Sequence, residues 1–220
     1  DRSTVEAILY NRAAFLATRA RAENCIEALA QSGKKNFTII SNNCGNQGQG
    51  LAVLLKNNQV KKVFCSFVGG NPDLEALMLK DAIEVELSPQ GTLAERIRAG
   101  GAGIGGFFTP TGVGTVVAKG KESRMLLGKE MIFEQALTAD FAIIRAHEVD
   151  TYGNARFYRT SQNFSKVMAM AAKTTIVEAE KIVPLGSIDP DNIHLPGIFV
   201  QRIFQGKNYK NEIEFLVTEN

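Results

Sequence analysis

Residues 84–115, EVELSPQGTLAERIRAGGAGIGGFFTPTGVGT, decide the fold. Glu84, Val85, Glu86 and Leu87 alternate polar and apolar, as a strand does. Ser-Pro-Gln-Gly at 88–91 is turn chemistry, and Thr92, Leu93, Ala94, Ile97 and Ala99 return at helical spacing. Strand, polar turn and helix in succession are what an α/β ligand site is built from. Gly100, Gly101, Gly103, Gly105, Gly106, Gly112, Gly114 and Gly120 then follow, and they let backbone approach a ligand or another chain closely.

The same succession occurs twice upstream. Residues 37–40 (FTII) read as a buried strand, 41–45 (SNNCG) as a polar turn and 51–55 (LAVLL) as part of a helix. Residues 63–67 (VFCSF) form the next strand and 68–72 the next turn, with a helix over 73–80 whose Pro72 suits a first helical position. Parallel strands need crossover connections, so three such units predict a mostly parallel twisted sheet with helices on both faces. Ligands of such sheets bind beyond the carboxyl ends of strands. Those ends carry Asn42 and Asn43, then Gly69, Gly70 and Asn71, then Gln90 and Gly91, which gathers uncharged amides and bare backbone on one edge.

Residues 23–32 (ENCIEALAQS) predict an amphipathic helix with Ile26, Leu29 and Ala30 inward, ended by Gly33. Residues 1–22 are helix-permissive, with a ragged apolar stripe of Val5, Ile8, Leu9, Phe15 and Leu16. After Gly114 the pattern changes to strands at 130–133 and 141–145 and a hairpin-like turn at 150–154 into 155–158. A helix over 163–172, strands at 174–178 and 198–204, and a polar tail from 205 complete the chain. An additional antiparallel region is therefore expected after residue 128. With no repeat and no sharp composition shift, residues 1–220 read as a single domain.

Charged residues make up 22% and apolar ones 45% of the chain, and a net charge of +2 gives no strong field for nucleic acid or a membrane. Three cysteines, Cys25, Cys44 and Cys65, are too few for a disulfide framework and lack zinc spacing, so a reducing, cytoplasmic setting and no metal are expected. A catalytic set is thin: two histidines, His147 and His194, and no HExxH, GxSxG or CxxC pattern. Gly101-Ala-Gly103 and Gly112-Val-Gly114 do not sit between a strand and a helix with an acid at dinucleotide spacing.

The stretch at 84–115, with FTIISNNCG before it and ALTADFAIIRA, DTYGNARFYRTSQNF and DPDNIHLPGIFVQRI after it, resembles the α subunit of the family I coenzyme A transferases, most of all the succinyl-CoA:3-ketoacid branch. The likeness covers about residues 23–207. It implies a subunit that pairs with a homologous β subunit, in an α2β2 assembly, to move CoA from succinyl-CoA to a 3-oxoacid such as acetoacetate. The nucleophilic glutamate is expected on that separate β chain, with no catalytic residue in this one and no cofactor beyond CoA thioester as substrate. The resemblance further implies that Asn42, Asn43 and Gln90 line the acyl pocket, where uncharged amides hydrogen-bond a carboxylate or thioester carbonyl without neutralising the nucleophile. Gly91, Gly100, Gly101 and Gly103 would let backbone pass close to CoA or the partner.

One segment departs from the family, which opens with a strand and a turn of the form GGFGxxGxP before the helix that begins here at Glu23. This chain has FLATRARA at 15–22 instead, without glycine or proline, as a shifted reading frame or rearranged segment would leave. Loss of the first core strand and of a loop at the CoA site is expected from it. Simpler roles stand beside each site residue: turn residues for Asn42 and Asn43, helix-cap material for Gln90, a solvated or subunit-contact face for Glu95, Arg96 and Arg98, structural histidines, and a buried thiol for Cys44. Acetate- or butyrate-acetoacetate and 3-oxoadipate transferases share the same skeleton. A non-catalytic effector-binding domain should show a cationic phosphate clamp, and 42–45 and 88–91 contain no Lys or Arg. A defunct subunit is the remaining alternative, motivated by the altered N-terminal segment.

Overall fold

The computed structural model describes residues 7–10, 22–46 and 48–209. In chain order these form β1 (Ala7–Tyr10), α1 (Glu23–Gln31), β2 (Phe37–Ile40), α2 (Ala52–Lys56), β3 (Val60–Cys65), α3 (Pro72–Leu79), β4 (Glu84–Leu87) and α4 (Gln90–Gly101). Then come β5 (Gly106–Thr109), β6 (Ser123–Leu126), β7 (Lys129–Gln135), β8 (Ala139–Asp150), β9 (Ala155–Arg156), α5 (Ser165–Ala171), β10 (Ala172–Val183) and β11 (Arg202–Gln205). The main sheet runs β11-β10-β8-β1-β2-β3-β4, with every neighbouring pair parallel and β9 added antiparallel to β8. Strand order reverses between β1 and β8, the kind of switch point where open α/β sheets form a crevice.

Both faces of this sheet are covered, and alternation along the strands divides the core in two. On one face Phe37, Ile39, Val63 and Ile143 pack with Ile26 of α1, Leu54 and Leu55 of α2 and Leu74 of α3. On the other, Ile40, Ala142, Ile144 and Val177 pack with Leu93 and Ile97 of α4 and Met168 and Ala169 of α5. Each fully buried Leu or Ile contributes about 1.5–3 kcal/mol relative to exposure. Local signals agree with this packing. Asn71 caps α3, its Oδ1 accepting from Leu74 N at 3.1 Å with Pro72 in the first turn, and Gly33 leaves α1 at φ 66°. The start of α1 has no side-chain cap of its own; the buried carboxylate of Glu178 on β10 accepts from Cys25 N at 3.1 Å in its place.

Residues 7–10 correct the sequence reading. They are β1, between β2 and β8 at the middle of the sheet, so the expected loss of a first core strand does not occur. Ala-Ile-Leu-Tyr is a continuous apolar run, with no period of two to betray a strand. The departure from the family's glycine turn at 15–22 falls outside the described residues except for Ala22, which is fully buried.

The extra antiparallel strands form a second sheet, β5-β7-β6. It begins earlier than residue 128, because 106–109 and 123–126 pair with β7. The turn between β6 and β7 holds Leu127 and Gly128 at φ 51° and 71°, the left-handed pair that two-residue hairpins use. Phe108 and Phe133 meet across this sheet at 5.3 Å between ring centres.

Candidate functional site

Register turns the carboxyl ends of β2, β3 and β4 into rows. Thr38 pairs with Lys62 and Lys62 with Glu84; one step on, Ile40 pairs with Phe64 and Phe64 with Glu86. The next residues on the same side of the strands are Asn42, Ser66 and Ser88. Their backbones stay linked, Ser66 N donating to Asn42 O at 3.0 Å and Ser88 N to Cys65 O at 2.9 Å. The Ser66 hydroxyl donates to Asn42 Oδ1 at 2.5 Å, and Gln90 Nε2, from the first turn of α4, donates to the same oxygen at 2.9 Å. Asn42 is buried, at 7% exposure, while Gln90 is exposed. Two of the residues expected to act together, 48 positions apart, are thus in direct contact.

Asn43 makes contacts within its own loop. Its Oδ1 accepts from Gly45 N at 3.3 Å and its backbone oxygen accepts from Ser41 Oγ at 2.8 Å, so it shapes its own loop. That loop is held further by Asn71 Nδ2, which donates to Cys44 O at 3.0 Å. The glycines divide as well. Gly91 lies exposed in the first turn of α4 with open space where a Cβ would go. A Cβ on Gly100 would collide with Leu137 O, and one on Gly101 would lie 2.9 Å from Met170. The close approach at 100–101 is therefore made to this chain's own segments. Gly103, at φ 73°, ends the helix, with Ile104 N reaching back to Ala99 O at 2.9 Å.

On the same side of the sheet, behind this polar row, lies a cavity of about 560 Å³ lined by Ile40, Lys62, Phe64, Glu86, Arg96 and Glu134 among others. Arg96 corrects the expectation of a solvated face: it is 5% exposed, on the inward stripe with Thr92, Leu93, Ile97 and Ala99. Its Nη1 donates to Glu86 at 2.9 Å and its Nε to Gln135 O at 2.7 Å, with Glu134 Oε2 3.7 Å away. Lys121 Nζ holds the other Glu134 oxygen at 2.6 Å. Lys62 and Arg96 both lie over the Phe64 ring, at 4.5 and 5.7 Å from its centre. Glu95 and Arg98 do face solvent, paired at 2.7 Å.

The histidines hold structure. Phe157 N donates to His194 Nδ1 at 3.0 Å and the two rings stack; burial, then Arg156 and Lys166, push the imidazole below its usual range. His147 Nδ1 lies 2.8 Å from Glu180, which also accepts from Arg145. All three cysteines are buried; burial pushes the Cys65 thiol up to about 11, and burial with the Glu178 charge pushes Cys25 higher still. Neither is a thiolate at neutral pH. Among the described residues, no helix is long and apolar enough to cross a membrane. The sequence reading missed Ser66 and the Arg96–Glu134 pair. No spacing announces them, because strand register and the fold-back of β7 decide which side chains meet.

The comparisons with known proteins point the same way. The coenzyme A transferase family model matches residues 13–206. The chain is 50% identical over 198 residues to the A-type subunit of the succinyl-CoA:3-ketoacid coenzyme A transferase of Helicobacter pylori, covering 90% of this chain and 85% of that one. It is 48% identical over 180 residues to the A-type subunit of a 3-oxoadipate CoA-transferase of Pseudomonas putida, covering 81% and 78%. Among solved structures, an acyl-CoA transferase from Escherichia coli O157:H7 superposes with a TM-score of 0.81 at 22% identity over 92% of this chain and 46% of that one. Glutaconate coenzyme A-transferase from Acidaminococcus fermentans gives 0.75 at 16% over 89% and 70%, a likeness of fold. Half of the residues kept over nine-tenths of the chain, with the family model matching nearly all of it, leave one assignment: this chain belongs to the coenzyme A transferase family, as an α-type subunit.

Proposed function

We propose that the chain is the α subunit of a 3-oxoacid CoA-transferase that moves CoA from succinyl-CoA to a 3-oxoacid such as acetoacetate, working with a homologous β subunit in an α2β2 assembly. The observation that carries this reading is the 50% identity over 90% of the chain with the corresponding subunit of a transferase of that name. The contact between Asn42 and Gln90 supports it. In the proposed cycle a glutamate on the β chain attacks the succinyl-CoA carbonyl, forming a mixed anhydride and expelling CoA thiolate. The thiolate attacks the glutamyl carbonyl, succinate leaves, and a glutamyl-CoA thioester remains. Acetoacetate then attacks that thioester, and the same two steps in reverse order give acetoacetyl-CoA and the free glutamate. No bound cofactor is required.

In this cycle Asn42 and Gln90 line the acyl pocket. Their amides stabilise oxygen that gains negative charge in each tetrahedral intermediate, and being uncharged they leave the glutamate nucleophilic. The 48% identity with a 3-oxoadipate transferase subunit supports a second acceptor, a longer dicarboxylic 3-oxoacid.

The test is CoA transfer by this chain alone and co-purified with a β-type subunit, with acetoacetate and 3-oxoadipate offered in parallel. Activity is expected only in the complex, with acetoacetate the better acceptor. Preference for 3-oxoadipate would replace the first acceptor with the second, and a well-folded complex that transfers CoA to neither would overturn the proposal. Gln90→Ala is expected to lower turnover about tenfold without preventing assembly, the scale of one lost transition-state hydrogen bond.

A further inference from the structure

Resting on the proposed placement of Asn42 at the acyl pocket, we infer that Ser66 is a positioning residue that fixes the Asn42 amide with its NH2 group turned to the substrate oxygen. A side-chain amide has an acceptor end and a donor end of nearly the same shape, and a half-turn exchanges them. Only the donor end stabilises a carboxylate or a thioester carbonyl.

Here the acceptor end is occupied twice. Ser66 Oγ and Gln90 Nε2 both donate to Asn42 Oδ1, at 2.5 and 2.9 Å. The Ser66 hydroxyl also lies 3.1 Å from Asn42 O, which already accepts from Ser66 N at 3.0 Å, so its single hydrogen goes to the shorter contact with Oδ1. Among the described residues nothing accepts from Asn42 Nδ2. Turning the amide over would set its NH2 against the Gln90 NH2 and give up the short Ser66 contact, sending the Ser66 hydrogen to Asn42 O, which lies 3.1 Å away and already accepts from Ser66 N.

The two donors are not equal. Gln90 is exposed on a helix turn, whereas Ser66 directly follows β3 and is tied to Asn42 by a backbone bond as well. Ser66 is the rigid one, and Gln90 follows it. Ser88 supplies an internal control. It stands in the same row, 1% exposed, and its hydroxyl has no hydrogen-bond partner among the described residues.

The test uses this chain in complex with its β-type subunit and steady-state CoA transfer to whichever acceptor the complex accepts. Ser66→Ala is expected to lower kcat about five- to tenfold with KM for the acyl-CoA nearly unchanged, the effect of one lost hydrogen bond. Ser66→Thr, which keeps the hydroxyl, should recover most of the loss, and Ser88→Ala should leave kcat at the wild-type value. Because Ser66 acts through Asn42, Ser66→Ala should add nothing in an Asn42→Ala background.

Should Ser66→Ala not fold, Ser66→Cys keeps the volume with a poor donor and should show the same kcat loss. Losses that multiply in the double variant, a wild-type kcat for both Ser66→Ala and Ser66→Cys, or a change in KM alone would overturn the positioning role. A wild-type kcat for Asn42→Ala would instead remove Asn42 from the pocket, and the role of Ser66 with it. The two failures are therefore read from different variants.

Discussion

At the start of α4 a Cβ placed on Gly91 would meet nothing within 4 Å, whereas at its end one on Gly100 would collide with Leu137 O. The same residue type therefore serves opposite ends at the two termini of one twelve-residue helix. The first turn is open and carries Gln90 toward Asn42; the last is clamped by the 137 loop and α5. Between them Arg96 is buried against Glu86 and Glu134 and joins the helix to both sheets. The helix is anchored at its middle and its far end, and the near end is left open.

The largest change should come from breaking that anchor. Arg96→Ala would strand the 1% exposed Glu134 with Lys121 as its remaining cation and should cost about 3 kcal/mol, read as a lowered urea midpoint. Gly100→Ala comes next. The backbone of the 137 loop must move to admit a methyl group, which should cost about 1–3 kcal/mol in the same assay. Gly91→Ala should go the other way and raise stability by about 0.5–1 kcal/mol, since alanine loses less backbone freedom in a helix and the space is open. Destabilisation by Gly91→Ala, or tolerance of Gly100→Ala, would erase the contrast between the two ends.

Much of this arrangement is legible in the residues. The three strand, turn and helix units at 37–101 lie where their patterns put them, because apolar runs, turn residues and Pro72 act within a few residues of themselves. What does not show is non-local. β1 reads as helix-permissive because its continuous apolar run has no period of two, and β5 is hidden in a glycine-rich run. Arg96 reads as solvated because its partners, ten and thirty-eight positions away, are brought in by β4 and β7.

By itself the sequence determined the class of fold, the strand ends at which a site would form, and the family to which those motifs belong. These follow from local preferences and from long, specific runs of residues. Only the tertiary structure decided which of the named residues meet. It joined Asn42 to Gln90 through a shared oxygen, brought Ser66 to the same atom, set Asn43 Oδ1 on Gly45 N and packed Gly100 and Gly101 against the chain's own segments. The reason is strand register: parallel neighbours are set by crossovers tens of residues long, so which side chains share a row is fixed when the sheet assembles.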